Sequence, residues 1–126
     1  MSPVTKTRRR QHRYPIQRGK LARVEFTHPS PNGRRYDLDV TNISSSGVSF
    51  LLEGADELAS LEEGLGLPDV VIRVGACMIR GEMLVMHVTY DAGSRPICGA
   101  LFYPATDTDL VQLKAVIAGM EVAEAD

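Results

Sequence analysis

Tryptophan is absent from this 126-residue chain, and aromatic residues make up only 6% of it. Any core must therefore be filled by aliphatic side chains, and few flat rings are left on which nucleic-acid bases could stack. Cysteine is limited to Cys77 and Cys98. Each lies in an apolar β-like segment without zinc-ligand spacing, so both read as reduced core residues of a cytoplasmic protein. His12, His28 and His87 are scattered with no Cys/His or Asp/His pattern, so no metal site is expected. Long apolar runs are missing too. The longest stretch, Leu65 to Ile79, is interrupted by Pro68, Asp69 and Arg73, which excludes membrane insertion. No apolar segment follows the basic N-terminus as it would in a signal peptide. The chain has no P-loop, no G-x-G-x-x-G and no G-x-S-x-G elbow, and Ser44-Ser45-Ser46 does not open a strand-to-helix pattern. Catalysis and a bound cofactor are not expected.

Acidic residues are also missing from the first 23 positions, which hold eight Lys and Arg. The remainder carries all sixteen acids and six basic residues, so a strongly cationic leader is hidden inside a net charge of -2. A localised anionic partner fits this asymmetry better than DNA does, because a nucleic-acid-binding surface more often makes the whole domain basic. The leader concentrates in Arg8-Arg9-Arg10-Gln11-His12-Arg13. Guanidinium is planar, permanently charged and forked, matching phosphate oxygens and the O6/N7 edge of guanine. A solvated basic tail is the plain alternative for such a run taken alone.

Along the chain, residues 1–7 are polar, aperiodic and expected to be a disordered tail. Ala22, Val24 and Phe26 alternate with polar residues as a half-buried strand. The Pro29–Gly33 turn cluster joins it to a second strand with Tyr36, Leu38 and Val40 on one face. A turn rich in small hydroxyls follows, then a third strand with Val48, Phe50 and Leu52 inward. After an acidic stretch with a short helical turn from Asp56 to Leu61 come Val70 to Val74 and a long segment from Cys77 to Tyr90. In that segment Leu84, Met86, Val88 and Tyr90 are expected on one face, with His87 and Thr89 on the other. Ile97 to Tyr103 is the last strand. Short strands with frequent turn signals predict an all-β antiparallel barrel. Thr106 or Asp107 then caps a C-terminal helix through about Val122, with Leu110, Leu113, Ile117 and Met120 facing the barrel.

The hydroxyl-rich turn is a second binding element. Asn42 offers an amide, Ser44 a hydroxyl and Gly47 a bare backbone that lets a flat ring approach. Arg9-x-x-x-Arg13, then Asn42-x-Ser44-x-x-Gly47, then the closing strand Gly99-Ala100-Leu101-Phe102 and the helix, together resemble the PilZ domain. The resemblance covers residues 8–122 as one domain, with an arginine-rich binding arm at 8–18, a barrel at 20–103 and a helix at 106–122. It implies a six-stranded antiparallel barrel with a flexible N-terminal arm that binds cyclic di-GMP, the bacterial second messenger. Arg9 and Arg13 would grip phosphates and guanine edges, while Asn42, Ser44 and Gly47 would contact a guanine from the barrel surface. Arg8 resembles the residue of members that hold two intercalated messenger molecules, and Arg10 would add a contact. Output would pass through an unidentified effector protein. His87 is the candidate ring for stacking on a guanine, against a plain surface histidine; Tyr14 and Tyr90 read as packing residues. Two other readings compete, a ligand-free adaptor of the same fold and a nucleic-acid-binding barrel.

Overall fold

The computed structural model describes residues 14–15, 22–29, 33–54, 60–90 and 92–125, with backbone only for 14–15 and 121–125. Among these lie β1 (Tyr14–Pro15), β2 (Ala22–Thr27), β3 (Arg35–Ile43), β4 (Gly47–Leu51), β5 (Gly66–Val74), β6 (Cys77–Tyr90), β7 (Pro96–Pro104) and α1 (Asp107–Ala125). Strands β2 to β7 close into a six-stranded antiparallel barrel, in the order β3-β2-β5-β6-β7-β4 with β4 returning to β3. Among the described residues, closure leaves no long unpaired edge. The two-residue β1 is added along β3, pairing Tyr14 with Ile43 and Pro15 with Asn42.

The alternating side chains supply the core. Val24, Phe26, Leu38, Val40, Val48, Phe50, Ile72, Ile79, Val85, Cys98 and Phe102 are all buried inside. The few aromatic rings cluster, with the Phe26 centroid 5.3 Å from Tyr36 and 5.8 Å from Phe50. Burial pushes the Cys98 thiol up to about 12, which suits an inert packing residue. The outer face of β2, β3 and β5 carries crossed ion pairs: Arg23 with Asp37 at 2.8 Å and with Asp39, and Glu25 with Arg35 at 2.9 Å and with Arg73. Arg73 first, then Arg35, holds the Glu25 carboxyl below its ordinary range. Pairs this exposed contribute about 0–1 kcal/mol each and act mainly on strand register.

Two expectations need correction. In β6 the buried face is Ile79, Met83 and Val85, while Met86 and Tyr90 are exposed and Leu84 and Val88 half-buried. A β-bulge between Val85 and His87 is the cause. One extra residue there exchanges the inward and outward positions, so no single alternation holds along the strand. In α1, Leu110 is 37% exposed and Asp109 is buried in its place. The Asp109 carboxylate accepts from Arg80 N at 2.9 Å and from Thr106 Oγ1 at 2.7 Å, while Thr106 Oγ1 caps Asp109 N at 3.2 Å. These bonds draw the polar side chain onto the barrel, and Leu113, Ile117 and Met120 continue the buried face.

The helix packs on β6 and β7 and reaches β1. The expected turn from Asp56 to Leu61 falls largely outside the described residues. Its last part is tied to the barrel, with Ser60 O 2.9 Å from His28 Nε2 and Ser60 Oγ 3.2 Å from the Tyr36 hydroxyl. Among the described residues no helix is long and apolar enough to cross a membrane.

Candidate functional site

The β3–β4 corner holds the three expected site residues that the structure describes: Asn42 near the end of β3, Ser44 in the turn and Gly47 at the start of β4. A bulge at Thr41 shifts the register, so that Val40 faces Phe50 and Asn42 faces Ser49. Thr41 Oγ1 stabilises the bulge by donating to Ser49 O at 3.2 Å. Ser44 is buried and its hydroxyl is committed to the turn: Oγ accepts from Gly47 N at 3.1 Å and Ser46 N at 3.3 Å, and donates to Gly47 O at 3.3 Å. Gly47 is required by packing, since a Cβ there would lie 2.6 Å from Ala100 O on β7. Local structure thus accounts for both residues. Asn42 is different. Its Oδ1 is buried and has no hydrogen-bond partner among the described residues. A buried polar atom left unpaired costs about 1–3 kcal/mol, and such an atom calls for an explanation.

Strand pairing extends the site sideways. Asn42 is opposite Ser49, Ser49 opposite Gly99, and Gly99 opposite His87. Their inward neighbours Ile43, Val48 and Cys98 are buried in the core, so this row lies on the outer side of the barrel wall across four strands. Ser49 and Gly99 are nevertheless buried there, while Asn42 is half-buried and His87 exposed. On the near side of Asn42 stands Pro15 of β1. The sequence does not show that Ser49 and Gly99 lie beside Asn42; the mid-strand glycine alone gives a signal of close approach.

Arg8, Arg9, Arg10 and Arg13 lie outside the described residues. What the structure supplies is their attachment. Arg13 precedes Tyr14 directly in sequence, and Tyr14–Pro15 is paired with Ile43 and Asn42. The run is therefore tethered within two residues of the unpartnered amide.

Elsewhere, a groove of about 590 Å³ is lined by residues including Glu25, Arg35, Asp69, Arg80, Glu82 and Tyr103. It shares no residue with the Asn42 row, and its charges are mixed. Among the described residues no group of His, Cys, Asp and Glu is placed to hold a metal ion.

No protein-family model matches the chain, and no curated protein matches it. Solved structures do. The PilZ domain of YcgR from Escherichia coli, solved with c-di-GMP, superposes with a TM-score of 0.74 at 18% identity, covering 93% of this chain and 94% of that one. The fold is that of the PilZ domain. The K. pneumonia MrkH–c-di-GMP complex superposes with a TM-score of 0.80 at 17% identity over 92% of this chain, which spans about half (53%) of MrkH. The Bacillus subtilis inhibitor of motility MotI/DgrA gives a TM-score of 0.68 at 15% identity, over 88% of this chain and 54% of that one. At these identities the likeness is one of PilZ fold, closed barrel and C-terminal helix alike.

Proposed function

We propose that this chain is a cytoplasmic cyclic di-GMP receptor, without a reaction of its own, whose ligand is held between the arginine run and the β3–β4 corner. The observation that carries the reading is Asn42. Its amide oxygen is buried and has no partner among the described residues, on the residue paired with Pro15, two positions beyond Arg13. A guanine edge offers donors for an acceptor of this kind, and the doubly negative phosphodiester ring suits forked cations. Two solved structures of the same fold contain c-di-GMP, which supports the reading.

In this account Arg9 and Arg13 clamp phosphates and guanine edges, with Asn42 below them. Ser44 and Gly47 hold the corner in shape and let a base come close. Arg8 favours two intercalated ligand molecules, and Arg10 adds a charge contact. Four guanidiniums within six residues repel one another when no anion is present. Ligand phosphates neutralise them and draw the run across the barrel, pivoting on the Tyr14–Pro15 pairing with β3, which alters the surface offered to an effector protein. Hydrogen exchange tests this step: amides of residues 8–18 are expected to slow on adding cyclic di-GMP, and unchanged protection would refute the switch.

A further inference from the structure

Resting on the receptor reading above, we propose that Thr41 is a positioning residue for the ligand: by holding a one-residue bulge in β3, its hydroxyl keeps the Asn42 amide on the outer side of the barrel wall. The phase of the strand changes at this point. Up to Val40 the alternation is regular, with Leu38 and Val40 buried and Asp37 and Asp39 exposed. Continued without interruption, it would send Asn42 into the core and Ile43 to the surface. The register runs otherwise. Val40 is opposite Phe50, but the next pairs are Asn42 with Ser49 and Ile43 with Val48. Thr41 is therefore the extra residue, and Ile43 is the one buried.

The Thr41 side chain is placed to hold that bulge. Its Oγ1 donates to Ser49 O at 3.2 Å, which ties the unmatched residue to the very residue that Asn42 faces. The other edge of β3 gives little help here. Asp39 is the last residue paired with β2, through Arg23, and Asn42 is paired with Pro15 of β1. Among the described residues no strand pairs with Val40 or Thr41 on that edge, and Pro15 has no N–H to give to Asn42. Burial of Ile43 outweighs a single hydrogen bond, so it decides which phase the strand takes. The Thr41 hydroxyl decides how firmly the amide is held in that phase. An amide already fixed in place loses little freedom when a ligand pairs with it, and a loosened one must be ordered at the expense of affinity.

The test is calorimetric titration of cyclic di-GMP into the wild-type chain, Thr41→Val, Thr41→Ser, Asn42→Ala and the double variant Thr41→Val/Asn42→Ala. The Asn42 side-chain amide is followed by NMR in the ligand-free proteins. Valine keeps the branched shape and loses the hydroxyl. Thr41→Val is expected to weaken binding about 3- to 10-fold, the worth of one hydrogen bond. It should also broaden or split the Asn42 amide signals, which are a single sharp pair in wild type. Thr41→Ser keeps the hydroxyl and stays within about 2-fold of wild type. In the Asn42→Ala background, Thr41→Val costs nothing further, because the group it positions is gone. Wild-type affinity in Thr41→Val overturns the proposal and leaves the receptor reading standing. So does a loss that adds in full to that of Asn42→Ala, which is what a general loosening of the barrel gives. Equal losses in Thr41→Val and Thr41→Ser overturn the part played by the hydroxyl. If the wild-type chain takes up no cyclic di-GMP, the receptor reading fails and the NMR signals alone decide the positioning role: sharp and single in Thr41→Val, they overturn it; broadened or split, they support it.

Discussion

Pro15 in β1 is the antiparallel partner of Asn42 in β3, and the buried amide oxygen of Asn42 has no hydrogen-bond partner among the described residues. A two-residue strand this short is poor barrel material, yet it anchors the chain at the point where the arginine run ends. In the receptor reading proposed above, this tether would make the encounter between the run and a ligand on Asn42 effectively intramolecular, so that weak individual contacts would add to a usable affinity.

From this follows an unusual pairing of effects for Asn42→Ala. Removing an unsatisfied polar group does not harm the fold, so the urea midpoint is expected to equal or exceed that of wild type. Loss of one hydrogen-bonding side chain at the ligand should weaken cyclic di-GMP binding by about 1–3 kcal/mol, or roughly 5- to 150-fold. A fall in stability with unchanged affinity would show that the amide serves the barrel instead.

Ser44 and Gly47 should behave the other way round. With its hydroxyl spanning the turn to Gly47 and Ser46, Ser44→Ala is expected to cost about 1 kcal/mol of stability and to weaken binding only modestly, by loosening the corner. Gly47→Ala drives a methyl toward Ala100 O, 2.6 Å away, and should cost about 1–3 kcal/mol as β4 shifts from β7. Urea unfolding of both variants, compared with their titrations, checks the separation of roles. A Ser44→Ala variant as stable as wild type would contradict it.

The sequence was most readable where the barrel is most regular. Ala22, Val24 and Phe26, and Tyr36, Leu38 and Val40, are inside as their alternation requires, because no bulge interrupts the β2–β3 pairing. It was misleading where a single inserted residue changed the phase. The stripe expected at Leu84, Met86, Val88 and Tyr90 gave way to Ile79, Met83 and Val85, and alternation alone does not mark a bulge. Asp109 replaced Leu110 inside because its partners, Arg80 N and Thr106 Oγ1, are brought together by the fold. The Asn42-x-Ser44-x-x-Gly47 stretch was visible, but its division of labour was not. That Ser44 closes the turn while Asn42 stands unpaired depends on the register with Ser49 and Pro15, residues distant from one another in sequence.

Asp109 gives the helix an acid-sensitive attachment. The bond from Thr106 and then the Arg80 backbone N–H hold its carboxyl below the ordinary value of 3.8. A group with a depressed folded pKa contributes stability above its unfolded value and loses it as pH falls through the folded one. The stability gap between wild type and Asp109→Asn should therefore be full at pH 5 and above and close progressively below about pH 4. Urea midpoints of the pair at pH 7, 5, 4 and 3 measure it; a gap that persists undiminished at the lowest pH would contradict the ionic role.

The most direct test of the clamp is a calorimetric titration of cyclic di-GMP into the wild-type chain and into Arg13→Ala, read for affinity and stoichiometry. Losing one partner of a desolvated charged contact costs about 2–5 kcal/mol, so Arg13→Ala should bind roughly 30- to 5,000-fold more weakly. Two ligand molecules per wild-type chain are expected from Arg8. Wild-type affinity in Arg13→Ala, or no binding by the wild-type chain at all, would contradict the account.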